Sequence, residues 1–484
     1  MKQHRREFLK RVGIGAGAAA LSAGSGFGHS LSPPGTFFAG PSSPSPWDEV
    51  PRILARIRPP SFPARDFDIT RFGAIGDNQT DNTEAFRNAI AAASRAGGGR
   101  VVVPRGNFVT GAIRLMSNIN LHVAAGATIR FSRDSKRYPL VFTRWEGIEL
   151  MNFSPFIYAF EQENIGITGP GTIDGNCDCD HWWPWKGRTN CGWKPGDPSQ
   201  ESDRARLFEM AERGVPVSER VFGEGHYLRP MFIQPYRCKN VLLEGFTLLN
   251  SPMWQVHPVL CTNVTVRGLN IRTSVLGPNT DGCDPESCTD VLIEKCFFSV
   301  GDDCIAINSG RNADGRRVNV PSQNIVIQDC HMKDGHGGVT IGSQISGGVR
   351  NVFARNCRMD SPQLDIAVRI KNNAMRGGVI ENVFVRDIDV GQIAMAALAI
   401  DFFYEEGKAG KFTPVTRNVT IQNLKTNKAK YALYLRGFEN APIERIALVD
   451  CDFGGVEKPS VIENVRGLSF SNVRVNGELV EKAI

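Results

Sequence analysis

No stretch of this chain is apolar for long enough to cross a membrane, so no membrane anchor is expected. A glycine-rich phosphate loop is missing, as are a nucleophilic serine or cysteine triad and any nucleic-acid motif. Nucleotide-driven chemistry, triad acyl transfer and nucleic-acid partners therefore have no support. A strong charge of one sign is lacking too. The formal net charge of +6 includes +4 from Lys2, Arg5, Arg6, Lys10 and Arg11 against Glu7, leaving +2 for the rest, which says almost nothing about a ligand.

The basic head is itself informative. His4-Arg5-Arg6-Glu7-Phe8-Leu9-Lys10 precedes a weakly apolar run, Val12 to Ala23, rich in Gly and Ala. This pattern reads as an export signal of the twin-arginine type over residues 1–29, and implies a periplasmic or extracellular protein. Residues 30–66, with Pro33-Pro34, Pro44, Pro46 and Pro59-Pro60, read as a loosely ordered linker. The remainder, 67–484, is long enough for more than one domain, but a single solenoid accommodates it.

A repeat supports the solenoid. Asn or Asp followed by alternating apolar residues recurs as Asn240-Val241-Leu242-Leu243, Asn263-Val264-Thr265-Val266, Asp290-Val291-Leu292-Ile293 and Asn324-Ile325-Val326-Ile327. It continues at Asn351, Asn382 and Asn418, with a weaker copy at Arg445. Period-two alternation is a strand with one buried face, and unequal spacing means that loops of different length interrupt a constant strand. The sixth place holds Phe246, Leu269, Cys296, Cys330, Cys357, Ile388, Leu424 and Cys451, a column of interchangeable interior residues. Its four cysteines are thus small core hydrophobes rather than disulfide partners. One strand pattern per unequal unit indicates a parallel β-helix rather than a propeller, whose blades need near-constant repeats.

A solenoid needs its ends covered. Thr83 to Arg95 has helical spacing, Asp81 or Thr83 as N-cap and Gly97-Gly98-Gly99 as a stop, and reads as the N-terminal cap. An insertion over about 176–229 carries Trp182, Trp183, Trp185 and Trp193, which would either stack on sugars or form a satellite core. Its Cys177, Cys179, His181 and Cys191 match a zinc pattern weakly, and a disulfide within the insertion fits better. Cys283 and Cys288 form another possible pair.

Chemistry concentrates between 279 and 371. Asn279-Thr280-Asp281-Gly282 alone is an ordinary turn, and Gly301-Asp302-Asp303 alone is no more specific. Their separation by one coil changes this, because acids facing one cleft cost electrostatic energy unless they are used. Both Asp302 and Asp303 enter a cleft only if the chain bends, which Gly301 permits. His336 lies between Gly335 and Gly337, whose lack of side chains allows close approach. Arg369 and Lys371 share a strand face while Ile370 packs inward, a geometry suited to a substrate carboxylate.

In order and spacing, Asn279-Thr280-Asp281, Gly301-Asp302-Asp303, Gly335-His336-Gly337 and Arg369-Ile370-Lys371 resemble the four motifs of the polygalacturonases, glycoside hydrolase family 28. The resemblance runs from about residue 67 to the C-terminus and includes Phe72-Gly73-Ala74-Ile75-Gly76-Asp77 and Ser251-Pro252-Met253-Trp254-Gln255-Val256-His257-Pro258. It implies a right-handed parallel β-helix that hydrolyses α-1,4-linked galacturonate of pectic polysaccharides with inversion and without metal or other cofactor; the protein is expected to be a monomer. Carried over, Asp302 is the general acid, Asp281 and Asp303 activate water, and His336 tunes the acid. Asn279, Arg369 and Lys371 bind substrate. Inversion carries the expectation of acid and base carboxyls ~6.5–9.5 Å apart, and a proton-sharing cluster should raise the pKa of the acid. Asn279 and His336, which rhamnogalacturonan hydrolases of the family lack, favour galacturonate–galacturonate bonds; hydrolysis of another pectic linkage, in rhamnogalacturonan or xylogalacturonan, is the alternative. The insertion and Gly310 to Arg317 resemble exo-acting bacterial members. A calcium-dependent pectate lyase and a non-catalytic polysaccharide-binding β-helix are the rival readings; three crowded acids argue against the second.

Overall fold

A computed structural model describes residues 45–481, so the export signal expected at 1–29 lies outside the described residues. The repeat becomes geometry directly. Lys239–Glu244 pairs in parallel with Thr262–Arg267, which pairs with Thr289–Glu294, then Ser322–Gln328, Val349–Met359, Val379–Gln392, Val415–Lys428, Ile443–Val449 and Val465–Ser471. Val241, Val264, Val291, Ile325, Val352, Val383, Val419, Ile446 and Leu468 form one stacked file, as expected of a parallel β-helix. The sixth-place column is buried throughout, and Cys296, Cys330, Cys357 and Cys451 are free thiols within it.

The leading Asn of each repeat does two jobs. All of them adopt left-handed backbone, φ 54–59°, which Asn tolerates better than most residues. Their amides form a ladder from coil to coil: Asn240 donates to Asn164 (2.8 Å), Asn263 to Asn240 (2.7 Å), Asn351 to Asn324 (3.1 Å), Asn382 to Asn351 (3.1 Å) and Asn418 to Asn382 (2.6 Å). Asp290 has no amide to donate, so the ladder breaks there. The backbone N–H of Arg58 fills the vacant acceptor on Asn263 (2.9 Å), and the Arg56 guanidinium pairs with Asp290 (2.8 Å).

Those two arginines belong to the segment expected to be a linker. Its described part, residues 45–66, is packed on the coils rather than being a loose linker. Helix α1 (Glu49–Arg56) buries Val50 and Ile53 against Leu292, Val326, Phe353 and Phe384, outward-facing residues of four successive coils. The proline-rich composition hid an amphipathic turn that tertiary contacts stabilise. Helix α2 (Thr83–Arg95) caps the solenoid and buries Phe86, Ala89, Ile90 and Ala93. Its N-cap is Asn82, whose side chain accepts from Ile75 N–H, while Asp81 accepts from Thr83 N–H.

Three excursions leave the coils on one side. Leu140–Trp145 and Ile148–Phe153 form an antiparallel hairpin closed by Glu146-Gly147, both at positive φ as a tight two-residue turn requires. The 176–229 insertion holds helix α3 (Glu201–Glu212), which buries Leu207 and Ala211 beside Trp145, Leu150 and Trp254. Cys179 and Cys191 are bonded, which removes the zinc reading of this cluster. Trp182 and Trp183 are buried in the main core, so they are packing residues rather than sugar platforms. The segment after Gly310 forms helix α4 (Asn312–Val318). Cys283 and Cys288 do not pair; both are free and buried, and Cys288 Sγ instead accepts the Cys261 N–H in a separate cysteine stack.

Candidate active site

A second face of the solenoid carries the motif residues. Cys283 bridges to Ile305, Ile305 pairs with Val339, and Val339 with Val368. Counting two residues back, Asp281, Asp303 and Gly337 fall in one file, and Thr280, Asp302 and His336 fall in the next. Stacking of coils therefore brings together groups more than fifty residues apart in the chain. At the third level the file needs a glycine: a Cβ on Gly337 would lie 2.8 Å from Asp303 Oδ1. Gly301 is needed for a similar reason, since a Cβ there would lie 2.2 Å from Gly277 O. Close approach, rather than an unusual φ, is what excludes a side chain.

All seven residues expected at the site meet in one pocket. One carboxylate oxygen from each of Asp281, Asp302 and Asp303 lies within 4.8 Å of the others. That is tighter than the ~6.5–9.5 Å expected for inversion, so carboxylate spacing cannot carry the stereochemical assignment here. Asp303, 1% exposed, receives Lys371 Nζ at 2.7 Å and Arg369 Nη1 at 3.3 Å. Asp302 accepts from Asn279 Nδ2 (3.4 Å) and contacts His336 Nδ1 (2.9 Å). Ile370 is buried in the core, as its position between two outward cations requires.

The electrostatics divide the acids. Burial, then Asp302, Asp284 and Asp303, push Asp281 well above the usual carboxylate range. Burial also works on Asp302, but the hydrogen bond and charge of His336, with Lys371 and Arg369, outweigh it and hold Asp302 below that range. The same hydrogen bond raises His336 above its ordinary value. The cluster therefore does not raise the pKa of Asp302 as expected. The hydrogen bond and the opposite charges instead favour the carboxylate form of Asp302 and the charged form of His336.

Several residues of the site were not foreseen. Asp284 is fully buried, and neither of its carboxylate oxygens has a partner among the described residues. Arg229, fully buried, donates to Pro252 O (2.8 Å), Pro278 O (2.6 Å) and Asn279 Oδ1 (2.9 Å), and so fixes the first motif from within the insertion. The Tyr404 ring lies 5.2 Å from Lys371 Nζ and 5.5 Å from Arg369 Cζ. Trp254 lines the pocket, and its place in the quoted 251–258 segment was the only signal for it. Glu146, Lys186, Arg188 and Arg204 come from the hairpin and the insertion to line the same pocket. Arg311, just before α4, joins Glu146 (3.3 Å) to Glu405 (3.1 Å) and Glu406 (3.3 Å), tying these excursions together.

Residues 223–473 match the family described as Glycosyl hydrolases family 28, more than half of the chain. The chain belongs to that family. Residues 67–137 match "Rhamnogalacturonase A/epimerase, pectate lyase-like". Among solved structures, a hyperthermoactive exopolygalacturonase from Thermotoga maritima is 48% identical, with a TM-score of 0.87 over 90% of this chain and 97% of that one. A probable polygalacturonase of Vitis vinifera is 28% identical over 80% of this chain and 73% of its own length. An exo-poly-alpha-D-galacturonosidase of Dickeya chrysanthemi is 24% identical over 84% of this chain and 71% of its own. This family 28 protein is a glycosidase with the right-handed parallel β-helix of its relatives.

Proposed function

We propose that the protein hydrolyses α-1,4-galacturonosyl linkages of polygalacturonate from a chain end, with inversion. The observation that carries this reading is the convergence of Asp281, Asp302 and Asp303 with two cations in a pocket walled by the insertion. Asp302 protonates the glycosidic oxygen, resupplied by the proton on His336 at 2.9 Å. Asp281 and Asp303 hold and activate the attacking water. Asn279, Arg369 and Lys371 bind the sugar; in the free site Lys371 and Arg369 rest on Asp303, and a substrate carboxylate offers them a second acceptor. No step needs a metal or a redox partner.

End-wise attack is supported by Glu146, Lys186, Arg188 and Arg204, which the hairpin and the insertion add to the lining of the pocket. Product analysis on polygalacturonate over time tests it. Monomer or dimer alone from the first minutes is expected, and an early ladder of lengths would refute exo action. Inversion is checked by proton NMR of the first turnovers: the β-anomer should appear before mutarotation, and an initial α-anomer would refute it. Unsaturated products that require calcium would indicate a lyase instead.

Export through a twin-arginine pathway is proposed from the Arg5-Arg6 head, and a monomer is proposed as the working state. Among the described residues no helix is long and apolar enough to cross a membrane. Replacing both arginines by lysine should leave the protein unexported; unimpaired export would reject the assignment. A sedimentation coefficient of a dimer would reject the monomer.

A further inference from the structure

Arg369 and Lys371 are not the only cations in the pocket. Lys186 and Arg188 reach it from the 176–229 insertion, on either side of Gly187. Neither forms an ion pair or a side-chain hydrogen bond with any described residue. The acid that acts most strongly on Lys186 is Glu146, and its carboxylate is already taken by Arg204 Nε (2.9 Å) and Arg311 Nη1 (3.3 Å). The other charges that act on Lys186 are Arg229, Arg204 and Arg188, all cationic. A half-buried ammonium with no protein acceptor, crowded by like charge, is poised to take up a negative group. Burial first, and then these arginines, pull its pKa down to about 8.

Lys186 also stands apart from the cations already assigned. The strongest partner of Lys371 and of Arg369 is Asp303, whereas the surroundings of Lys186 are the hairpin turn and the insertion. Two cationic places thus line the pocket that holds the acids, and a polyuronate carries one carboxylate on every sugar. We propose that Lys186 and Arg188 form a second carboxylate site, which takes the carboxylate of a galacturonate neighbouring the one held by Arg369 and Lys371 and so sets how far the chain end enters. This rests on the reading of the substrate as a galacturonate oligomer. Lys186 is here a specificity residue that binds substrate and takes no part in proton transfer.

Steady-state kinetics on trigalacturonate and on its three singly methyl-esterified forms tests the proposal. Losing one charge-assisted contact should raise KM about tenfold or more in Lys186→Met, with kcat within about threefold of wild type, and Lys186→Arg should recover most of the loss. In wild type, esters at two positions should weaken binding. In Lys186→Met one of those two penalties should vanish while the other stays. Wild-type KM should rise as pH passes about 8, where Lys186 loses its proton, and Lys186→Arg should lack that rise. This last comparison holds even if the methionine variant does not fold. Unchanged ester penalties in Lys186→Met, or a flat wild-type KM through pH 8, would overturn the site while leaving the substrate reading intact. Failure of wild type to cleave trigalacturonate at all would overturn the substrate reading, and this site with it.

Discussion

At Asp302 two opposing influences meet: burial favours a neutral carboxyl, and His336, Lys371 and Arg369 favour a charged one. The cations win, and in the proposed mechanism this leaves on His336 the proton that reaches Asp302 along their shared hydrogen bond. His336 has its pKa raised, so its charged pairing is complete below the ordinary histidine value and is lost as pH rises through the raised one. Activity of wild type should therefore fall on the alkaline side at or above the ordinary histidine pKa. In His336→Asn the pH–rate profile should begin to fall at lower pH, and an unmoved alkaline limb would show that His336 does not hold the proton. Asp302→Asn should lower kcat on oligogalacturonides by about 10³-fold or more while far-UV circular dichroism stays unchanged. Retention of more than a few per cent of activity would assign the acid elsewhere.

At the scale of elements, the asparagine ladder couples neighbouring coils. Asn382 donates to Asn351 and accepts from Asn418, and it sits at φ 58°. Asn382→Ala removes two hydrogen bonds and places an alanine in left-handed backbone, at a combined cost of about 2–4 kcal/mol. Asn382→Gly should cost less, since it relieves the backbone and loses only the bonds. Urea denaturation of the two variants measures the difference, and equal losses would mean that backbone strain is irrelevant. The break at Asp290 shows why the N-terminal segment is ordered: Arg56 and Arg58 supply the donors that an aspartate cannot. Nothing in the local composition of residues 45–58 announces this, because the partners lie more than two hundred residues away. The helix α2 was readable from its own spacing and stop signal, since a cap needs only one amphipathic face.

For the whole molecule, concentrating acids in one pocket trades stability for chemistry. Burial and the charges of Asp303 and Asp302 raise Asp284 well above the usual carboxylate range. A raised carboxyl stabilises the fold fully below its ordinary pKa, and that contribution is lost as pH rises through the raised value. Wild-type thermal stability should therefore decline between mildly acidic and mildly alkaline pH more steeply than that of Asp284→Asn. Parallel melting curves against pH would remove Asp284 from this role. The sequence by itself determined the coil: period-two strands, turn-forming Asn, the buried sixth-place column, and the order of four polar motifs. These are readable because a solenoid repeats its own local rule, so each coil reports on the next. Only the tertiary structure decided which neighbours the motif residues meet. The pairing of His336 with Asp302, the support of Asn279 by Arg229, and the arrival of Lys186 and Arg188 depend on the paths of the excursions between coils. An insertion follows no repeat, so its course is set by packing against distant surfaces rather than by any local period.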